Sequence, residues 1–241
     1  MGDIKHLKSQ IVRDLEEAGR KSLYVADANE SDPRYKAYGV RAPALREILK
    51  KHRPAIRQLE LGRQIKLATQ MVESGFGEQQ SVGLFILEPH SDYYIPERFG
   101  ELDRLVGCLH GWSKVDGFTG SLLRDVLFNH PKKFPLLVEK WNQDSDLWLR
   151  RASVVLFARK VAKSGLFNDF ALTMCDSLKH APEDLVRKGV GWALKDLMRS
   201  DKKRVLDYVF KLRQQNISGT ITSYAIRDLK GQERADFLAR K

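Results

Sequence analysis

Apolar residues recur every three or four positions along most of the chain, as in Leu7, Ile11, Val12 and Leu15, then Leu45, Ile48 and Leu49, then Val154, Val155, Phe157, Ala158 and Val161. That period is the one-sided burial of amphipathic helices, whereas the alternation of half-buried strands is scarce. The prolines, at positions 33, 43, 54, 89, 96, 131, 135 and 182, fall at expected helix starts or joints, where a missing amide hydrogen costs little. The pattern predicts roughly a dozen short helices. They form one domain over residues 1–241, with no linker or low-complexity stretch to divide it.

A repeat organises these helices. The segment WLRRASVVLFARK from Trp148 aligns with LVRKGVGWALKDL from Leu185 at an offset of 37 residues. Stepping outward from Arg151 in the same register reaches Asp116, Gln80 and Ala44 before it, and Lys188 and Tyr224 after it, at intervals of 35, 36, 36, 37 and 36 residues. Such periods belong to helix pairs stacked into an alpha solenoid, in which equivalent positions form a row along one face. The expected fold is therefore an all-α, right-handed solenoid of about six repeats. A buried ridge reads Leu, Val or Ile. This row reads Ala, Gln, Asp, Arg, Lys, Tyr, which predicts an exposed functional face.

Trp112 stands four residues before Asp116, and Trp192 four residues after Lys188, so each is one helical turn from the row and on its side of the helix. Both tryptophans follow a glycine, Gly111 and Gly191, a spacing that leaves room for a ligand to approach the ring.

Charge gives these positions a partner. The 42 Lys and Arg outnumber the 31 Asp and Glu, for a net charge of +11, which points to a polyanion. No apolar run approaches the roughly 18 residues of a membrane span. The N-terminal stretch MGDIKHLKSQIVRDLEEAG reads as an amphipathic helix without the features of a signal peptide, so a cytoplasmic protein is expected. Cys108 and Cys175, the two cysteines, lack metal-ligand spacing and read as reduced, buried residues. The histidines at 52, 90, 110, 130 and 180 also lack such spacing and are expected at helix ends or on the surface, so no metal or cofactor is expected.

Four separated motifs, YGVRAPALREI from Tyr38, GWSKVD from Gly111, WLRRASVVLF from Trp148 and VGWALKDL from Val190, make the sequence resemble the AlkD family of DNA alkylation repair proteins, which are HEAT-like repeat glycosylases. The resemblance covers nearly the whole chain. It implies a concave basic face that grips double-stranded DNA containing alkylated purines, and a monomeric enzyme. It also implies that Trp112, Asp116, Arg151 and Trp192 surround the damaged nucleotide, which stays largely within the duplex. The family motif often reads W-D-x-V-D, and here its second and third positions are Ser113 and Lys114.

Those residue types suit that chemistry. Alkylation at N3 or N7 makes a purine cationic and a good leaving group, and positive charge then develops on the deoxyribose, where a carboxylate such as Asp116 stabilises it or activates water. Two indoles add cation–π attraction of about 0.5–2 kcal/mol each. Arg151 is suited to a bidentate phosphate grip, and Lys114, Lys188 and Arg227 to further phosphate contacts. A strand-cleaving lyase role for Lys114 would need an activated amine, and the ordinary role of such a lysine is phosphate contact or solvation.

Each residue also has a plainer role available. Trp112 and Trp192 fit core positions, as Trp141 and Trp148 do; Asp116 fits a helix cap, and Arg151 an ion pair between repeats. The rival to a glycosylase is a catalytically silent repeat protein that binds DNA structures or serves as a scaffold.

Overall fold

The structure is a computed structural model that describes residues 4–22 and 32–240. The first residues of the predicted N-terminal amphipathic helix, Met1 to Asp3, lie outside the described residues. Contacts divide the chain into two compact units, Met1–Phe118 and Thr119–Lys241, although the sequence carries no linker between them.

The first unit contains α1 (Ile4–Arg20), α2 (Ala42–Arg57), α3 (Leu61–Val72), α4 (Gly77–Leu87), α5 (Phe99–Gly107) and α6 (Trp112–Phe118). The second opens with a π-helical turn, Thr119–Leu123. It continues with α7 (Arg124–Asn129), α8 (Phe134–Asn142), α9 (Leu147–Val155), α10 (Arg159–Ser164), α11 (Asn168–Ser177), α12 (Asp184–Gln214), α13 (Gly219–Ala225) and α14 (Gly231–Ala239). Among the described residues there is no β-strand, only an isolated bridge between Lys36 and Phe76. The all-α expectation holds.

The repeat register also has a structural counterpart. Ala44, Gln80, Asp116, Arg151, Lys188 and Tyr224 fall on α2, α4, α6, α9, α12 and α13 in turn. In the first unit α1 packs on α2 and α3 on α4, while α4 contacts both α2 and α6. In the second, α8 packs on α9 and α11 on α12, and α12 contacts both α9 and α13. Helices that carry the row thus stack on each other within each unit, and their partners form a second layer, as in an alpha solenoid. The long α12 serves two successive repeats because Asp201, with φ −145° and ψ 69°, breaks it into two helical segments.

Local chemistry explains several boundaries. The Asp146 side chain accepts the Trp148 amide at 2.7 Å and starts α9, while Gly165, at φ 71°, ends α10 in the left-handed conformation that glycine adopts without steric cost. The buried layers are apolar, with Leu15, Leu67, Met71 and Leu87 in the first unit and Phe134, Trp141, Trp148 and Phe157 in the second. The core positions expected for Trp141 and Trp148 are therefore met.

The motif beginning at Tyr38 has a scaffolding part to play. Buried Glu78 on α4 accepts the backbone amides of Tyr38, Gly39 and Val40 at 3.0, 2.9 and 2.9 Å. Tyr38 stacks on Phe76 at 4.4 Å between ring centroids, and its hydroxyl accepts a hydrogen bond from Gln79.

Two sequence expectations need correction. Pro54 lies inside α2 rather than at a joint, three residues before its end, where few intrahelical hydrogen bonds are lost. His52 is neither at a surface nor at a helix end; it is buried in α2, with Nε2 2.6 Å from Asp14 Oδ2 on α1. Lys51 donates to the same carboxylate at 2.7 Å.

Burial raises the Asp14 pKa, but the hydrogen bonds and charges of Lys51 and His52 outweigh it and hold the group below its ordinary value of 3.8. A depressed carboxylate pKa contributes stability that is present above the unfolded value and lost as pH falls through the folded one. Asp14→Asn is therefore expected to lower unfolding stability at pH 7 by about 1–2 kcal/mol, and the gap to the native chain should close in acid below the ordinary carboxylate range. Urea titrations at the two pH values check this, and equal stability of the two proteins at pH 7 would refute it.

Candidate nucleic-acid interface

Trp112, Lys114 and Asp116 all lie on α6 in the first unit. Trp112 opens the helix and is 40% exposed, whereas Asp116, one turn later, is 7% exposed. Residues four apart share a helix face, so an open indole and a nearly enclosed carboxylate lie side by side. Lys114 is half-buried, with its amine 3.3 Å from the Ser113 hydroxyl.

Arg151, Lys188, Trp192 and Arg227 belong to the second unit, where α9, α12 and α13 are in direct contact. Arg151 is 5% exposed and donates through Nη1 to the Leu185 carbonyl in the first turn of α12. Its aliphatic stem lies against Gly189, where an added Cβ would stand 3.6 Å from Arg151 Cγ. Lys188 is exposed and paired with Asp184 at 2.8 Å, one turn earlier. That hydrogen bond, opposed by burial and reinforced by Thr220 and Arg187, holds the Asp184 carboxyl below its ordinary value. Lys188 thus enters the surface as half of an ion pair. Arg227 is exposed just beyond α13, with its guanidinium 5.4 Å from the Tyr224 ring centre.

Partners correct the expectation that the row is exposed throughout. Ala44 and Lys188 are exposed, but Gln80, Asp116 and Arg151 are buried. Gln80, 1% exposed, donates to the carbonyls of Val72 and Cys108 at 3.2 and 2.6 Å, closing backbone acceptors that would otherwise be unpaired in the core. A polar residue in a repeat register can therefore be a packing device.

Gly191 carries a second correction. A Cβ there would lie 2.7 Å from Tyr224 Cβ and 3.0 Å from the Ile221 carbonyl oxygen, so this glycine admits α13 rather than a ligand. Cys175 is fully buried and Cys108 half-buried, and burial raises both thiol pKa values, which leaves them as unreactive thiols.

The surroundings of Trp192 bring in two residues that the sequence reading passed over. Its indole N–H donates to Asp196 Oδ2 at 3.2 Å, and Asp196 is 1% exposed. The same carboxylate oxygen accepts the Arg159 backbone amide at 2.7 Å, and the Arg159 guanidinium carbon lies 5.0 Å from the Trp192 ring centre. A sequence signal for Asp196 exists: Gly191-Trp192-x-x-x-Asp196 repeats the pattern Gly111-Trp112-x-x-x-Asp116. Nothing comparable marks Arg159.

A cleft of about 740 Å³ between α11 and the second segment of α12 lies apart from all these residues. Its charges largely satisfy one another: Arg204 pairs with Asp169, Lys203 with Asp207, and the Tyr208 hydroxyl donates to Asp176.

Stacked helix pairs with polar and basic groups on the row helices define an all-α solenoid. A family model described as DNA alkylation repair enzyme matches residues 13–229, nearly the whole chain, and the protein belongs to that family. Among solved structures it is similar to one described as a predicted DNA alkylation repair enzyme from Enterococcus faecalis. The TM-score is 0.71 over 89% of this chain and 95% of the other, at 15% identity, a likeness of fold. A search of curated proteins gave no match. A role in DNA alkylation repair follows from the family, with DNA as the partner, and among the described residues no helix is long and apolar enough to cross a membrane.

The tight contact at Gly191 generates a structural prediction. Gly191→Ala is expected to cost about 1–3 kcal/mol through overpacking of α12 against α13. Thermal unfolding measures this, and an unshifted midpoint would show that the two helices separate without strain.

Proposed function

We propose that the chain is a monofunctional DNA glycosylase that acts as a monomer and hydrolyses the N-glycosidic bond of cationic N3- and N7-alkylated purines in duplex DNA. The observation that carries this reading is the pairing, on one face of α6, of the exposed Trp112 with the nearly enclosed carboxylate of Asp116, in a chain of the alkylation repair family. A carboxylate in a partly desolvated position interacts more strongly with nearby positive charge than one in bulk water.

In this reading, the alkylated purine leaves without being protonated, because it already carries a positive charge. Asp116 faces the positive charge that grows on the deoxyribose, and water completes the hydrolysis. Trp112 offers its open face to the cationic base. Arg151 orients the backbone next to the lesion, while Lys114, Lys188 and Arg227 add electrostatic contacts along the duplex. Trp192 belongs to the same DNA-binding set.

A second reading, a catalytically silent DNA-binding repeat protein, draws on the burial of Arg151 and its bond to Leu185, which a purely structural arginine shares. Excision separates the two readings. Purified protein is expected to release N7-methylguanine or N3-methyladenine from methylated duplex and leave abasic sites, and DNA binding without release would favour the silent protein.

Asp116→Asn is expected to reduce the single-turnover excision rate by about 100-fold or more, the scale of losing an electrostatic transition-state contact, with duplex affinity retained. Undiminished excision would remove Asp116 from the mechanism. Arg151→Ala is expected to slow excision and flatten the salt dependence of binding. If it lowers thermal stability and leaves both of these untouched, Arg151 is a tie between α9 and α12 only.

A further inference from the structure

We infer that Arg159, seated on Trp192, is a binding group for a backbone phosphate of duplex DNA, and that Trp192 serves as its platform rather than as a receptor for the cationic base. This rests on the DNA-binding part of the proposed function and not on excision.

Three independent features converge on this side chain. The first is backbone strain: Arg159 has φ 54°, a left-handed conformation that is uncommon for any residue other than glycine and costs energy that its surroundings must offset. What holds it is Asp196, whose buried carboxylate accepts the Arg159 amide at 2.7 Å and the Trp192 indole N–H at 3.2 Å. One anion thus fixes both the point where the arginine leaves the backbone and the orientation of the ring.

The second feature is the room made for the guanidinium. Gly120 lies in the π-helical turn Thr119–Leu123, and a Cβ there would stand 2.9 Å from Arg159 Nη1. Turns of this type are rare and are frequently found at functional sites.

The third is charge. The guanidinium forms no ion pair with a carboxylate among the described residues. Asp196, which accepts the Arg159 backbone amide, is shared by Lys195 at 3.1 Å and Arg199 at 3.4 Å, and Lys195 also meets Asp228 at 3.4 Å. Three cations therefore stand against two carboxylates, one of them buried. Arg159 is exposed, with its guanidinium carbon 5.0 Å from the Trp192 ring centre.

These features select the ligand. A ring face already occupied by a guanidinium repels a second cation, so an alkylated purine is disfavoured there. An anion is attracted instead, and the planar fork of an arginine held on an aromatic ring matches a phosphate with little further loss of freedom. In a duplex the recurring anion is the backbone phosphate.

Arg159→Gly tests this most directly, because glycine removes the guanidinium and at the same time relieves the positive φ. The probe is a short, undamaged, fluorescently labelled duplex, with affinity measured by anisotropy over a range of salt concentrations. Affinity is expected to fall about fivefold to tenfold. The slope of log affinity against log salt should become shallower by about 0.9, the loss of one phosphate contact. The same change is expected on methylated duplex, with a melting temperature at or above that of the native chain.

Unchanged affinity and slope overturn the proposal, whatever happens to the melting temperature. If the variant both binds less and melts earlier, Arg159→Lys decides: retention of the native slope supports a charge contact with phosphate, and a slope as shallow as that of the glycine variant overturns it. A native chain that binds no duplex also overturns it. A native chain that binds but releases no base leaves the Arg159 result standing and defeats only the glycosylase reading.

Discussion

The close approach of α9 and α13 to α12 is the constraint on which most of the second unit depends. At Gly189, an added Cβ would stand 3.2 Å from Val154 and Val155, and at Gly191 it would collide with α13. Without side chains at these points, α12 can be sandwiched between the two row helices. That sandwich sets Arg151 at the first turn of α12, where its guanidinium reaches the Leu185 carbonyl, and it aims Trp192 and Asp196 toward the start of α10. The positions of the candidate ligands in this unit are thus consequences of helix spacing before they are consequences of charge.

The two Gly-Trp-x-x-x-Asp segments make a natural comparison, because sequence gives them the same spacing and helix geometry gives them the same relation between ring and carboxylate. Their surroundings differ. Asp196 accepts a backbone amide and an indole N–H through one oxygen, forms ion pairs with two basic side chains through the other, and is sealed at 1% exposure. A carboxylate so engaged is a structural anchor, since each bond it makes must be broken before it can act on a ligand. Asp116 is itself buried, at 7% exposure, and the tryptophan of its segment sets it apart: Trp112 is 40% exposed, whereas Trp192 carries the Arg159 guanidinium. The proposed catalytic assignment therefore goes to the first segment and the proposed anchoring assignment to the second.

The pairing of helices was legible in the sequence because it rests on periodicity: a spacing near 36 residues puts Ala44, Gln80, Asp116, Arg151, Lys188 and Tyr224 on successive row helices, and each of these six does lie there. Burial of individual polar residues was not legible, because it depends on partners distant in sequence. Gln80 is buried by two carbonyls, one of them 28 residues away at Cys108, and His52 by Asp14, 38 residues earlier. Gly191 was misread for the same reason: the absence of a side chain says that something comes close, but not whether it is a ligand or another helix. Arg159 left no mark at all, since a positive φ in arginine has no sequence signature.

The cation on Trp192 also bears on how the two exposed-side tryptophans divide their work in the proposed function. Cation–π attraction depends on the ring quadrupole, and a guanidinium seated on one face occupies that face and repels a second cation. Trp192, with its N–H bonded to Asp196 and Arg159 over its ring, has little left to offer a positively charged base, but it holds a cation rigidly in place for an anion. Trp112, which also has an aspartate one turn along its helix, is 40% exposed. An alkylated nucleotide has both kinds of charge, a cationic base and flanking phosphates, and the same residue type can serve either one. What decides is whether a cation already covers the ring face.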